Sequence, residues 1–215
     1  MRKGDGGATW KGEHRLILAS RSATRLELLK SCGIDAEPVA ADIHERAIEG
    51  EERRRGAMPM VIARRLASEK ALVVSRRSPG RLVLGADQVL AVEDRSFSKA
   101  ATLAEAASRL VVLAGRCHRL ISACALARDG ILVLEAVETA ELRMRNLNKA
   151  EIDGYLEIVG DPVLASVGAY QVEGLGRLLF EHIEGDHAVI LGLPLTSLLA
   201  YLLSVDLVGF GAHGS

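Results

Sequence analysis

Three acidic residues stand where phosphate chemistry needs oxygen ligands or a base: Asp42 and Glu45 after one predicted strand, and Asp87 at the end of another. A carboxylate at the carboxyl end of a strand is placed to face a cleft in an α/β protein. Hard oxygen ligands of this kind hold Mg²⁺ or Mn²⁺ and leave positions for water and substrate phosphates. Taken singly, each is more often a surface or capping acid. Glu37, Glu49, Glu51 and Glu52 lie nearby, and spacing does not separate them from the rest.

Two lysines, Lys70 and Lys99, could answer the charge of a polyphosphate. Fixed ammonium groups lower the barrier when a charged phosphate leaving group departs. Their plain alternatives are a helix-face charge and a loop charge. The run Leu18-Ala-Ser-Arg-Ser-Ala-Thr-Arg25 ends an apolar stretch in two serines, Ser20 and Ser22, and opens a helical pattern. Such a junction offers backbone N–H groups and hydroxyls to an anion, and Arg25, one turn in, can add paired donors. From spacing alone an ordinary serine N-cap is the favoured reading. The histidines give less. His182 and His187 are a poor metal pair, no zinc signature appears, and His118 in a strand reads as a structural histidine. Gly174-Leu-Gly176 is too short for a dinucleotide loop and reads as turn glycines.

The elements that must position these residues follow from periodicity. His14–Ala19 is a buried strand pattern. A helix follows Ser22, with Leu26 and Leu29 on one face, and closes at Gly33. Ala57–Ser75 is helical through Ile62, Leu66, Ala67 and Leu72. Arg81–Ala86 is an apolar run reaching Asp87, and Gln88–Val92 continues it. Thr102 caps a helix to Leu113, with Glu105 three residues on as in a capping box. Cys117–Ala127 and Ile131–Met144 pair through Asp129-Gly130, a strong hairpin signal. Lys149–Val159 is a helix, Gly168–Glu181 a turn-and-strand region, and Leu195–Leu203 the last helix. The mixture points to an α/β fold with a mixed, elongated sheet flanked by helices.

The chain's 215 residues suit one large domain or two intimately packed lobes, with residues 14–208 as the folded part. Residues 1–13 read as a disordered extension and 209–215 as a flexible tail. Aromatics are 3%, so the core falls to Leu, Val, Ile and Ala. A net charge of −1 gives no global attraction to nucleic acid, and none is expected as a partner. The arginines crowded between Arg53 and Arg77 read first as solvated helix faces, with RNA binding as the minority reading. Cys32, Cys117 and Cys124 show no metal spacing and fit reduced thiols. With no secretory signal visible, a cytoplasmic location is expected. Ala188–Val205 carries only His-free, uncharged residues but is broken by Gly192 and Pro194. It reads as a buried strand, a turn and an amphipathic helix, with no membrane partner expected.

Taken together and in order, these pieces resemble the Maf nucleotide pyrophosphatases, of inosine-triphosphatase-like architecture. The carriers are Leu16-Ile-Leu-Ala-Ser-Arg-Ser22 with Arg25 and Glu27-Leu-Leu29, then Glu45, Ala67-Ser-Glu-Lys70, Gly85-Ala-Asp-Gln88, Lys99 and Leu113-Ala-Gly-Arg-Cys-His118. Gly168-Ala-Tyr-Gln-Val-Glu-Gly174, Ile183-Glu-Gly-Asp186 and Gly192-Leu-Pro194 close the set, so the resemblance runs from about Leu16 to Val205. It implies a house-cleaning hydrolase that cuts a nucleoside triphosphate between its α and β phosphates with a divalent cation, Mg²⁺ or Mn²⁺. By position, Asp87 resembles the general base and Glu45 a metal-binding or water-orienting acid, with Asp87 sharing the metal. Lys70, Lys99, Ser20, Ser22 and Arg25 resemble the phosphate-gripping set.

Departures bear on the base. Ala23 follows Ser22 where the family has proline, and Thr24 replaces an Arg or Trp associated with base selection. Gln88 stands where the dTTP/UTP-type members have Thr, and Glu173 where they have Gln. Gln88 with Glu173 resembles the branch acting on 7-methyl-GTP, though Thr24 does not complete that set. A carboxylate at Glu173 could accept hydrogen bonds from a guanine N1–H and its amino group. Ala100 replaces the proline after Lys99. Two other classes remain open: a nucleotide or RNA binder without turnover, and a cell-division regulator, which rests only on the family's name. A homodimer is the commonest assembly to expect of a soluble protein.

Overall fold

The computed structural model describes residues 10–93 and 95–210. Most of the expected extension (residues 1–9) and most of the expected tail (211–215) lie outside the described residues.

Seven strands form one mixed sheet in the order β2-β1-β3-β5-β6-β7, with β4 pairing beside β3. Strand β1 (Leu16–Leu18) is parallel to β2 (Ala36–Pro38) and to β3 (Leu82–Val92). The longer strands are antiparallel: β3 pairs with β4 (Arg95–Phe97) and β5 (Cys117–Arg128), β5 with β6 (Ile131–Met144), and β6 with β7 (Phe180–Glu184). The β5–β6 hairpin closes through Asp129 at φ 51° and Gly130 at φ 76°. Two adjacent left-handed residues are what a two-residue turn needs to match strand twist, so the Asp-Gly signal is realised.

Helix α1 (Ala23–Ser31) is capped by the Ser22 hydroxyl, which accepts from the Arg25 N–H, and it ends before Gly33 at φ 70°. Helix α3 (Pro59–Arg76) begins with proline at its first position, where the missing N–H costs nothing. It lays Ile62, Leu66, Ala67 and Ala71 on the β3–β5 face carrying Val89, Ala91, Ile121 and Ala123. The opposite face takes Leu84, Ala86, Cys124 and Leu126 against α1 and α7 (Leu195–Ser204). Helices α4 (Leu103–Leu113) and α5 (Lys149–Val159) cover the other end, around Leu90, Leu120 and Leu142. Alternate residues of β3 therefore serve different layers, as the pleat requires.

Several elements differ from the sequence expectation. Helix α2 (Glu45–Arg54) has no fully buried residue and hence no apolar stripe to announce it. Ion pairs support it instead, Arg53 with Glu49 and Arg55 with Glu51 and Glu52. The buried strand expected at the start of Ala188–Val205 is the short helix α6 (His187–Ile190), capped by Asp186. The region Gly168–Glu181 is mostly turn, with a 3₁₀ helix at Leu175–Leu179, and β7 begins only at Phe180. Trp10, expected in the extension, is buried and bridges Val208, and its indole N–H donates to the His14 carbonyl at 2.9 Å. Among the described residues no helix is long and apolar enough to cross a membrane.

Candidate active site

Close contact between α3 and β3 sets the geometry. A methyl group added to Gly85 would lie 2.1 Å from the Ala67 carbonyl oxygen and 2.6 Å from the Ala71 nitrogen, so only glycine admits this approach. Two residues on, Asp87 points to the same face as Gly85. Three residues on from Ala67, one helical turn later, Lys70 reaches over it. The Lys70 ammonium donates to Asp87 Oδ1 at 2.6 Å and lies 2.9 Å from Glu45 Oε1. Lys70 and Asp87 are buried, while Glu45, first residue of α2, keeps half its side chain exposed. An inner carboxylate and an outer one thus share a single ammonium.

Burial raises Asp87 above its ordinary carboxylate range, because an apolar setting disfavours the anion. Lys70 and Arg25 pull in the other direction and keep the anion accessible. The outcome is a carboxylate with more than usual affinity for a proton, the property a general base requires.

Arg25 is held in place by acceptors. Its Nε donates to the Gly192 carbonyl at 2.8 Å, and its Nη1 to the Ala86 carbonyl at 3.0 Å and Ser20 Oγ at 3.2 Å. Burial lowers its pKa, while Asp87 and Glu45 favour its charge. It ties the β1–α1 turn, β3 and the turn after α6 together, and its field acts on Asp87 from there. Ser22 Oγ is committed to capping, and Ser20 Oγ also accepts from the Ser22 N–H at 3.2 Å. The serine-cap reading therefore holds, next to a cation that reaches the acidic cluster electrostatically.

Lys99 is an exposed residue on the loop after β4. Partial burial, together with the Arg25 and Lys70 charges, lowers its pKa, and Asp87 and Glu45 raise it. All four of those groups therefore stand within electrostatic range of Lys99. Thr24 is exposed in the first turn of α1. Glu173 is exposed on the turn before the Leu175–Leu179 3₁₀ helix, with no ion pair to the cluster among the described residues.

Gln88 lies on the other face of β3. It faces away from Asp87, as neighbours on a strand do. Its amide nitrogen donates to the carbonyls of Val189 and Ile190, both at 3.0 Å, and lies 3.2 Å from Ser122 Oγ. Those bonds clamp α6 to the sheet through the amide nitrogen.

Two residues escaped the sequence reading. Arg21 and Arg46 line an open cavity with Ile43, His44, Glu45 and Ala47. Both are exposed, and neither makes an ion pair among the described residues. Their positions, one beside Ser20 and one beside Glu45, were the only available signal.

Residues 15–205 match the family model described as Maf-like protein. The chain belongs to the Maf family. Among curated relatives, a protein of Rhodopseudomonas palustris (strain BisB18) named nucleoside triphosphate pyrophosphatase is 50% identical over 94% of this chain and 98% of its own length. One of Bradyrhizobium diazoefficiens with the same name is 49% identical over 93% and 98%. A Mesorhizobium japonicum relative named 7-methyl-GTP pyrophosphatase is 46% identical over 90% and 98%. The Maf assignment thus rests on nearly the whole chain, including every site residue named above.

Two carboxylates of the hard-oxygen type fit a small divalent cation whose other positions are filled by water and phosphate oxygens. Among the described residues no group of three or more His, Cys, Asp or Glu gathers as a closed metal site. Asp87 and Glu45 are the two carboxylates with the chemistry to hold such a cation.

Proposed function

We propose that this Maf protein hydrolyses nucleoside triphosphates between the α and β phosphates, releasing a monophosphate and pyrophosphate. The observation that carries the reading is the buried Lys70–Asp87 pair with Glu45 at its outer edge. Relatives about half identical over nearly the full chain and named for this reaction support it.

In this reading Asp87 takes the proton from an attacking water. Its burial suits it to that task, since a base works best with a pKa moved toward the working pH. Bound Mg²⁺ or Mn²⁺ would supply charge neutralisation at the phosphates. Lys70 and Lys99 stabilise the departing pyrophosphate, and Arg21 and Arg46 hold the polyphosphate at the mouth of the site. The oxygen–phosphorus bond between the α and β groups breaks, and the pyrophosphate leaves with the electron pair.

The substrates we propose are non-standard or modified nucleotides, 7-methyl-GTP among them. The 46% identical relative supports that choice, and so does the exposed Glu173 carboxylate as an acceptor for guanine N–H groups. RNA binding is not favoured, because Arg53, Arg55 and Arg65 of the arginine-rich segment are paired with glutamates on their own helices. Pyrophosphate release should be measured with Mg²⁺ or Mn²⁺ across 7-methyl-GTP, GTP, dTTP, UTP and CTP. Turnover that stops on chelation is expected; silence on every triphosphate from folded, metal-supplied protein would overturn the reading.

A further inference from the structure

The two carboxylates that fit a divalent cation are already bridged by an internal one. Lys70 Nζ is 2.6 Å from Asp87 Oδ1 and 2.9 Å from Glu45 Oε1, and the lysine is 6% exposed. An ammonium buried this deeply is costly unless it is paired. Here it draws its pairing from the same two carboxylates that would hold a metal. The three groups differ in freedom. Asp87 belongs to the interior of an eleven-residue strand, and the α3 backbone is pinned against it at Gly85. Glu45 is the first residue of α2, half exposed, on a helix that meets the core through the partly buried Ile48.

We propose that Lys70 is a positioning residue that occupies the cation's place in the nucleotide-free protein, so that the divalent metal enters together with the triphosphate and not ahead of it. Free metal must displace a buried ammonium that has no other acceptor among the described residues, whereas a metal–triphosphate brings phosphate oxygens to which Lys70 can transfer. Glu45, half exposed at the start of α2, and the buried Asp87 would then be the residues that hold the metal. The device would hold the two carboxylates together against their mutual repulsion until the triphosphate arrives. It rests on the metal-dependent reading above.

The test is Mn²⁺ binding without nucleotide, followed by calorimetry at pH 8. Lys70→Met should bind Mn²⁺ at least about tenfold more tightly than the unaltered protein, since a unit charge at contact distance is removed. Lys70→Arg, which retains the charge, should stay weak. Lys99→Met removes a neighbouring cation that bonds neither carboxylate and should tighten binding by less than about threefold. Equal tightening in the Lys70→Met and Lys99→Met proteins would reduce the effect to general field and overturn the proposal, as would unchanged or weaker binding in Lys70→Met. Should that variant not fold, the unaltered protein decides. Mn²⁺ bound without nucleotide should displace the Lys70 ammonium and so move the Lys70 Nζ NMR signal, and tight Mn²⁺ binding that leaves that signal unmoved would overturn the proposal. None of these readouts requires turnover, so failure here is distinguishable from failure of the hydrolase reading.

Discussion

Gly85 and Ala67 meet backbone to backbone: a methyl carbon on the first would lie 2.1 Å from the carbonyl oxygen of the second. One helical turn beyond that contact, the Lys70 ammonium comes within 2.6 Å of Asp87. The glycine is thus the spacer that fixes the pair. Gly85→Ala should cost about 1–3 kcal/mol of stability, the usual penalty of overpacking, and it should lower kcat by lifting Lys70 away. Urea unfolding beside steady-state rates checks both; a fully stable, fully active variant would show that the approach is not needed.

Asp87 should set the acid limb of the rate profile. Burial raises its pKa from 3.8, and the proposed base works only when ionised. Activity should therefore fall as pH drops through a midpoint above that value. Lys70 holds the pKa down, so Lys70→Met should move the midpoint upward. The pH dependence of kcat/KM reads this directly, and a downward shift would contradict the assignment.

Arg21 and Arg46 line the cavity beside Glu45 without ion-pair partners among the described residues. Contacts to charged phosphates made equally in ground and transition states appear in KM. Arg21→Ala and Arg46→Ala should each raise KM about two- to fivefold, the range of a solvent-exposed charge contact, with kcat and melting temperature little changed. A fall in kcat alone would place them elsewhere in the reaction.

His118 offers a test of the fold. Its Nε2 lies 2.7 Å from the Tyr170 hydroxyl, and burial lowers its pKa from 6.5 to about 4. The unfolded chain therefore takes the proton first on acidification. The neutral histidine's stabilisation is complete above pH 6.5 and is lost as pH falls toward 4, about 3 kcal/mol in all. Denaturant unfolding between pH 7 and 4 should show that slope, and His118→Gln should flatten it.

How far the sequence could be read depended on whether apolar side chains marked the element. Helix α5 was expected at Lys149–Val159 and occupies those residues, because Ile152 and Tyr155 face the core and Asn148 with Glu151 forms a full capping box. The Asp129-Gly130 turn carried its own signal, since only such residues accept adjacent left-handed conformations. Helix α2 gave none: its pairs are charge to charge and its residues are not fully buried. The segment at Ala188–Ile190 is apolar throughout, and a short apolar run does not tell a strand from a turn of helix.

The candidate site was legible as residue types and order, not as contacts. Asp87, Lys70 and Glu45 were expected there, but that one ammonium would bridge both acids is a product of the Gly85 approach. A glycine within a strand signals close backbone contact only in general terms. Gln88 was expected to read the base. The position of α6, which sequence periodicity misplaced, is what turns its amide toward Val189 and Ile190.

The most direct test of the central claim is ³¹P NMR of the first products formed from a nucleoside triphosphate with Mg²⁺, for the unaltered protein and for Asp87→Asn. Monophosphate and pyrophosphate from the first are expected, with the rate lost by about 10²–10⁴ in a folded Asp87→Asn, the usual contribution of a positioned base. Diphosphate and orthophosphate as first products, or undiminished pyrophosphate release from the folded variant, would contradict the account.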